Sequence, residues 1–182
     1  MEHILLCGGR RSGRTAMIRR LLDGIRMPVF GYETLTLATR NDGYHEIYLY
    51  PYGVREPACR EENHVADCNT RDRIIRPQVF DTLGADCLYA QKSGVLVMDE
   101  IGFMESEAEV FCRAVLDRLD SELPILAAVR TGIDTPFLRQ VTTHKSARVY
   151  AMAPERFDRI YEELRPLVLS WDAQWKEAQR PC

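Results

Sequence analysis

The first fifteen residues constrain this chain more than any other stretch. His3 to Cys7 is a short apolar run, and Gly8-Gly9-Arg10-Arg11-Ser12-Gly13-Arg14-Thr15 follows it directly. An uninterrupted apolar run closed by glycines reads as a buried strand. Thr15 to Asp23 then sets Ala16, Ile18, Leu21 and Leu22 on a helical face, with Gly24 as a C-terminal stop. Strand, glycine-rich turn and helix fit the pattern G-x-x-x-x-G-K-[ST] except at Arg14, where the pattern has lysine. Glycines let successive backbone N–H groups turn inward around an anion. The helix behind them points its positive end at the same anion. Gly8, Gly9, Arg10, Arg11, Ser12, Gly13, Arg14, Thr15 and Ala16 are therefore the candidate nucleotide-binding residues. The Thr15 hydroxyl is a candidate ligand for Mg²⁺. Arginine is planar and bidentate where lysine is a compact point charge. Arg14 suits phosphate binding; whether it places charge for γ-phosphate transfer is the loop's open question.

A second site signal lies in mid-chain. Val95 to Met98 is an apolar run ending in Asp99-Glu100. An ionised carboxylate at the end of a buried strand is costly unless it meets a cation. Mg²⁺ beside Asp99 resolves that cost. Glu100 points the other way along an extended chain, where it can orient, or take a proton from, the water that attacks a γ-phosphate. Acids also collect where a strand turns into solvent; the phosphate loop upstream favours the chemical role.

Between and beyond these motifs, strand-like and helix-like periods alternate. Thr34 to Thr39 and His45 to Tyr50, joined through Asn41-Asp42-Gly43, read as a β-hairpin. Residues 51–72 are polar and read as a surface loop or lid insert, and 73–90 as a helix bent near Pro77. Arg55, Arg60, Arg71, Arg73 and Arg76 lie around that loop, as a solvated charged face or as a source of one closing cation. Ser106 and Glu109 are spaced as a capping box before a helix carrying Phe111, Val115 and Leu119. Residues 124–129 and 148–152 read as strands, and Asp134 or Thr135 as the cap of a short helix with Pro136 in its first turn. A last helical region from Pro154 runs past Pro166 to Trp171 and Trp175, which are expected to cover the core. Alternating strands and helices imply a mostly parallel, doubly wound α/β sheet with the hairpin as an antiparallel extension, in one domain over 1–182. In such folds ligands bind beyond the carboxyl ends of the strands, where both Gly8 and Asp99 fall.

Composition removes several classes. A net charge of -3 gives no general attraction to nucleic acid or membrane. The apolar run at Ile4 to Cys7 is too short for a signal peptide or a span, so a cytoplasmic location is expected. The six cysteines form no Cys-x-x-Cys pair. Cys7, Cys87 and Cys112 read as small buried hydrophobes. His45, His64 and His144 show no metal-ligand spacing.

Val95 to Met104 reads VLVMDEIGFM and is followed by Glu105. Together with the N-terminal loop, Gly31-Tyr32-Glu33-Thr34 and the ILAAVR run at 125–130, it resembles the small P-loop nucleoside-triphosphatase family of the thermophile and cancer-related type, over roughly residues 3–165. The resemblance implies a P-loop NTPase fold and slow Mg²⁺-dependent hydrolysis of nucleoside triphosphates, ATP or GTP among them. By position it makes Gly8, Gly13 and Thr15 phosphate- and metal-binding, Asp99 the metal-side acid and Glu100 the candidate base; Arg14 departs from the family by replacing its loop lysine and is, with Glu100, a catalytic candidate. Arg130 stands where the family often has histidine and is a further nucleotide-binding candidate. Glu105 matches a family position and is as suited to a structural role. Two other functions use the same residues: a nucleoside or nucleotide kinase, needing a second substrate pocket, and a non-catalytic nucleotide-binding module.

Overall fold

The computed structural model describes residues 2–179. Its strands are β1 (His3–Gly8), β2 (Val29–Thr36), β3 (His45–Pro51), β4 (His64–Cys68), β5 (Arg73–Ile75), β6 (Val95–Ile101), β7 (Ile125–Arg130) and β8 (Ala147–Ala151). They form one sheet in the order β5-β4-β3-β2-β6-β7-β1-β8. The half from β2 to β8 is parallel, through the pairs β2–β6, β6–β7, β7–β1 and β1–β8. The half from β2 to β5 is antiparallel.

Burial on both sides explains the continuous apolar runs. Along β1, Leu5 and Cys7 join one core layer while Ile4 and Leu6 join the other. The helices α3 (Ala85–Tyr89), α4 (Glu109–Leu119) and α5 (Pro136–Thr142) cover the first layer with Leu88, Phe111, Val115 and Leu138. The helices α1 (Arg14–Leu22) and α6 (Phe157–Ala178) cover the second with Met17, Ile18, Leu21, Ile160, Leu164 and Val168. Trp171 is buried in that layer and Trp175 packs against it, as their helical spacing implied. Thr135 caps α5 by accepting from the Leu138 amide, with Pro136 in the first turn.

Three local expectations are corrected. Residues 51–72 are not all loop: β4 runs inside them and pairs with β3. Val65, Ala66 and Cys68 are buried, but Asp67 masks the pattern. Its carboxylate is neutralised by Arg76 (2.8 Å) and Arg40 (3.3 Å), so a charged residue sits in a buried strand. Residues 73–75 form the edge strand β5, and the helical stretch starts only at Pro77, with α2 (Pro77–Val79), a π-helical turn (Phe80–Gly84) and then α3. The capping box at Ser106 does not form. The Ser106 hydroxyl donates to Thr135 Oγ1 (3.0 Å), α4 starts at Glu109, and Asp81 accepts from the Phe111 amide (2.9 Å). The cap came from a distant helix instead of the local sequence.

Cys7 and Cys87 are buried as expected, and Cys112 is half-buried with its thiol donating to the Glu105 carbonyl (3.1 Å). Cys182 lies outside the described residues. No helix among the described residues is long and apolar enough to cross a membrane.

Candidate active site

The phosphate-loop candidates occupy the turn between β1 and α1. Gly13 takes φ +86°, a left-handed conformation that side chains disfavour, and it begins α1. No side chain caps that end, so the first amides of α1 face a cavity of about 300 Å³ lined by residues 11–16. Arg11 carries a positive φ without being glycine, a local strain of the kind that gathers at functional turns. The Ser12 hydroxyl is buried with no partner among the described residues. Gly8 packs under it: a Cβ there would lie 2.5 Å from Ser12 Oγ and 3.0 Å from the Met152 carbonyl. Gly8→Ala is therefore expected to displace the loop and weaken nucleotide affinity by about tenfold or more, measured by titration with a fluorescent nucleotide. Unchanged affinity would remove the loop's tight packing from the argument.

The carboxyl end of β6 delivers both acids to this loop. Thr15 Oγ1 donates to Asp99 Oδ1 at 3.1 Å. Asp99 is almost fully buried, and burial pushes its carboxyl up to about 6, opposed by the Thr15 bond and assisted by neighbouring Glu100. Glu100 leans away from Asp99 into a pair of guanidiniums. Arg14 Nη2 donates to its Oε2 at 2.9 Å, and Arg130 Nη1 donates to its Oε1 at 2.8 Å. Arg14 also donates to the Gly9 carbonyl at 3.2 Å and is only 7 % exposed. Arginine at this position therefore folds back across the base of the loop to meet the second acid.

The sequence singled out Gly8 to Ala16, Asp99, Glu100 and Arg130, and the fold brings them to one end of the sheet. It adds two residues that sequence reasoning missed. Tyr32 donates to the Glu100 carbonyl (3.1 Å) and Thr34 to the Asp99 carbonyl (3.4 Å), both from β2. The parallel pairing of β2 with β6 places them there; Gly31-Tyr32-Glu33-Thr34 carried part of the family resemblance without pointing to this contact. Glu105 is fully buried beneath the same turn and accepts from the Gly102 amide at 2.9 Å. Burial raises its carboxyl to about 8, so it is held neutral at pH 7. The structural option for Glu105 is the one its position supports.

Residues 3–165 match the sequence profile described as NTPase. The chain belongs to this NTPase family. It is 24% identical to the human cancer-related nucleoside-triphosphatase over 190 residues, covering 93% of this chain and 97% of the relative. It is 26% identical to nucleoside-triphosphatase THEP1 of Methanothermobacter thermautotrophicus, covering 87% of this chain and 91% of the relative. The crystal structure of THEP1 from the hyperthermophile Aquifex aeolicus has the same fold, with a TM-score of 0.67 at 16% identity over 91% of this chain and 98% of that one. The solution structure of a human cancer-related nucleoside triphosphatase superposes with a TM-score of 0.63 at 20% identity, over 93% and 98%. The fold is that of the P-loop NTPases in this family, as the sequence resemblance implied.

Proposed function

We propose that the chain binds a nucleoside triphosphate with Mg²⁺ across Gly8 to Ala16 and hydrolyses it slowly to the diphosphate and inorganic phosphate. The observation that carries this reading is the double contact between loop and acids: Thr15 with Asp99, and Arg14 with Glu100. Backbone amides of residues 12–16 cradle the phosphates, and Arg14 and Arg130 supply positive charge around the γ-phosphate. An incoming phosphate competes with Glu100 for both guanidiniums. That exchange frees the carboxylate to hold the attacking water and accept its proton.

The donor set fits Mg²⁺. Asp99 and Thr15 present adjacent hard oxygens, and the Asp99 carboxylate is desolvated with no guanidinium or ammonium bonded to it among the described residues. When bound, the ion supplies charge that neutralises the phosphate oxygens. A cytoplasmic setting, where nucleoside triphosphates and Mg²⁺ meet, suits this chemistry.

Phosphate release from Mg²⁺-ATP, GTP, CTP and UTP tests the reading. At least one nucleotide is expected to turn over, and Arg14→Lys, which keeps the charge, is expected to alter the rate by less than about tenfold. The Arg14–Glu100 pair also supports a second reading, a binding module whose second acid is held away from water. Nucleotide binding without release, with turnover gained in Arg14→Lys, would establish that alternative.

A further inference from the structure

A second cavity, of about 380 Å³, opens beside the phosphate loop on the side of the antiparallel extension. Its wall takes Arg10 from the loop, His45 from β3, Arg73 from β5, Phe103 and Met104 from the turn after β6, and Arg130 from β7. Every charged side chain lining it is cationic, in a protein whose net charge is -3. Among the described residues neither the Arg10 nor the Arg73 guanidinium is ion-paired to a carboxylate. Arg130 spends one nitrogen on Glu100. Burial and then the nearby charges of Arg10 and Arg130 lower the His45 imidazole from its usual value, and it stands on the wall as a hydrogen-bonding group. By contrast, the neighbouring Glu46–His64–Asp67 cluster is already satisfied by Arg40 and Arg76 and reads as an ion-pair network.

Unpaired arginines converging on a concave site mark an anion site, and their fork geometry matches phosphate. The wall is not only charged. Phe103, Met104, Ile47 and Cys68 give it an apolar side, and the Arg73 guanidinium lies 4.5 Å from the Phe103 ring centre. Thr39, Asn69 and Thr70 add short polar groups. Converging cations, one apolar aromatic wall and a few amide and hydroxyl groups, in a volume at the small end of ligand pockets, suit a small ring-bearing molecule with one phosphate. We propose that this cavity is a second ligand site for a phosphate monoester of the nucleoside monophosphate class, filled at the same time as the phosphate loop. Arg10 and Arg73 hold the phosphate and the Phe103 side takes the ring. The two sites meet at Arg10 and Arg130.

The test is calorimetric titration of the full chain with AMP, GMP, CMP and UMP, with the matching nucleosides and inorganic phosphate as probes of each half. Each titration is run alone and with a saturating non-hydrolysable triphosphate analogue. At least one monophosphate is expected to bind once per chain under both conditions, about tenfold or more tighter than its nucleoside or inorganic phosphate. Arg73→Gln and Thr70→Glu, both at exposed positions, are expected to weaken it about tenfold while shifting phosphate release from the triphosphate by less than about twofold. Four results would each overturn the proposal: no monophosphate bound at millimolar concentration, binding abolished by the analogue, binding indifferent to both substitutions, or inorganic phosphate bound as tightly. Abolition by the analogue would assign the cavity to the triphosphate's own base. Titrations without the analogue decide the matter even if the phosphate-loop reading fails, so the two fail separately.

Discussion

Glu100→Gln is expected to lower phosphate release by about 10²- to 10⁴-fold, the range over which a positioned general base acts, with nucleotide still bound. The substitution keeps the shape of the side chain, and its carbonyl oxygen can still accept from one arginine. It cannot accept a proton from water. It also removes the negative charge that Arg14 and Arg130 share at 2.9 and 2.8 Å, so both guanidiniums are held less tightly and turn more readily to phosphate. Binding is therefore expected to hold or tighten as turnover falls. Tyr32 holds the backbone carbonyl of Glu100, not its carboxyl group, so the strand end keeps its place in the variant. Single-turnover phosphate release and nucleotide titration on the same preparation give both numbers. A variant that keeps more than about a tenth of the rate would remove Glu100 from the water-handling role.

The parts of this site that were legible in the sequence are those whose chemistry is local. A phosphate loop is built from one strand end, one turn and one helix start, so residues 8–16 carry their own geometry. The acids at 99 and 100 were legible because a buried strand ending in two carboxylates is an electrostatic anomaly wherever it occurs. What these residues touch was not legible. Arg14 could be named as a departure from lysine, but its fold-back onto Glu100 depends on β6 lying two strands away from β1, across β7. Tyr32 and Thr34 were hidden for the same reason, because their partners are backbone carbonyls about 65 residues further along the chain.

The antiparallel half was harder to read because a charged residue occupies a buried position in one of its strands. A run such as His64 to Cys68 has no clean period when one buried position is Asp67, and the guanidiniums of Arg40 and Arg76 neutralise that position. The second cavity is bounded in part by this same half; along the chain its Arg73 read as part of a charged face or as a closing cation, while Arg10 and Arg130 read as phosphate-site residues. The Ser106 spacing misled in the opposite direction: a local signal for a helix start was outbid by Thr135 and Asp81, two groups far away in sequence.

Glu105 gives the second large effect, on stability. Its carboxyl rises from 4.5 to about 8 because it is buried, with one oxygen bonded to the Gly102 amide and the other without a hydrogen-bond partner among the described residues. Above pH 4.5 the unfolded chain releases this proton while the folded chain keeps it up to about pH 8. The contribution is thus full below the unfolded value and is lost as pH rises through the folded one. Asp99, raised to about 6, acts in the same direction at lower pH, while His3 and His45, both lowered from 6.5, act in the opposite direction at the lower end of the interval from 6.5 to 8, so the difference between wild type and a Glu105 variant reads Glu105. Over that interval the loss is about 2 kcal/mol at roughly 1.4 kcal/mol per pH unit, or about 4–8 °C in melting temperature for a domain of this size. Glu105→Gln carries the same neutral shape at every pH and is expected to flatten the slope. Melting curves at pH 6.5, 7.25 and 8 on both proteins check it. A wild-type curve without the decline, or an equal decline in the variant, would show that Glu105 is ionised in its pocket and that the Gly102 turn is held by a buried charge.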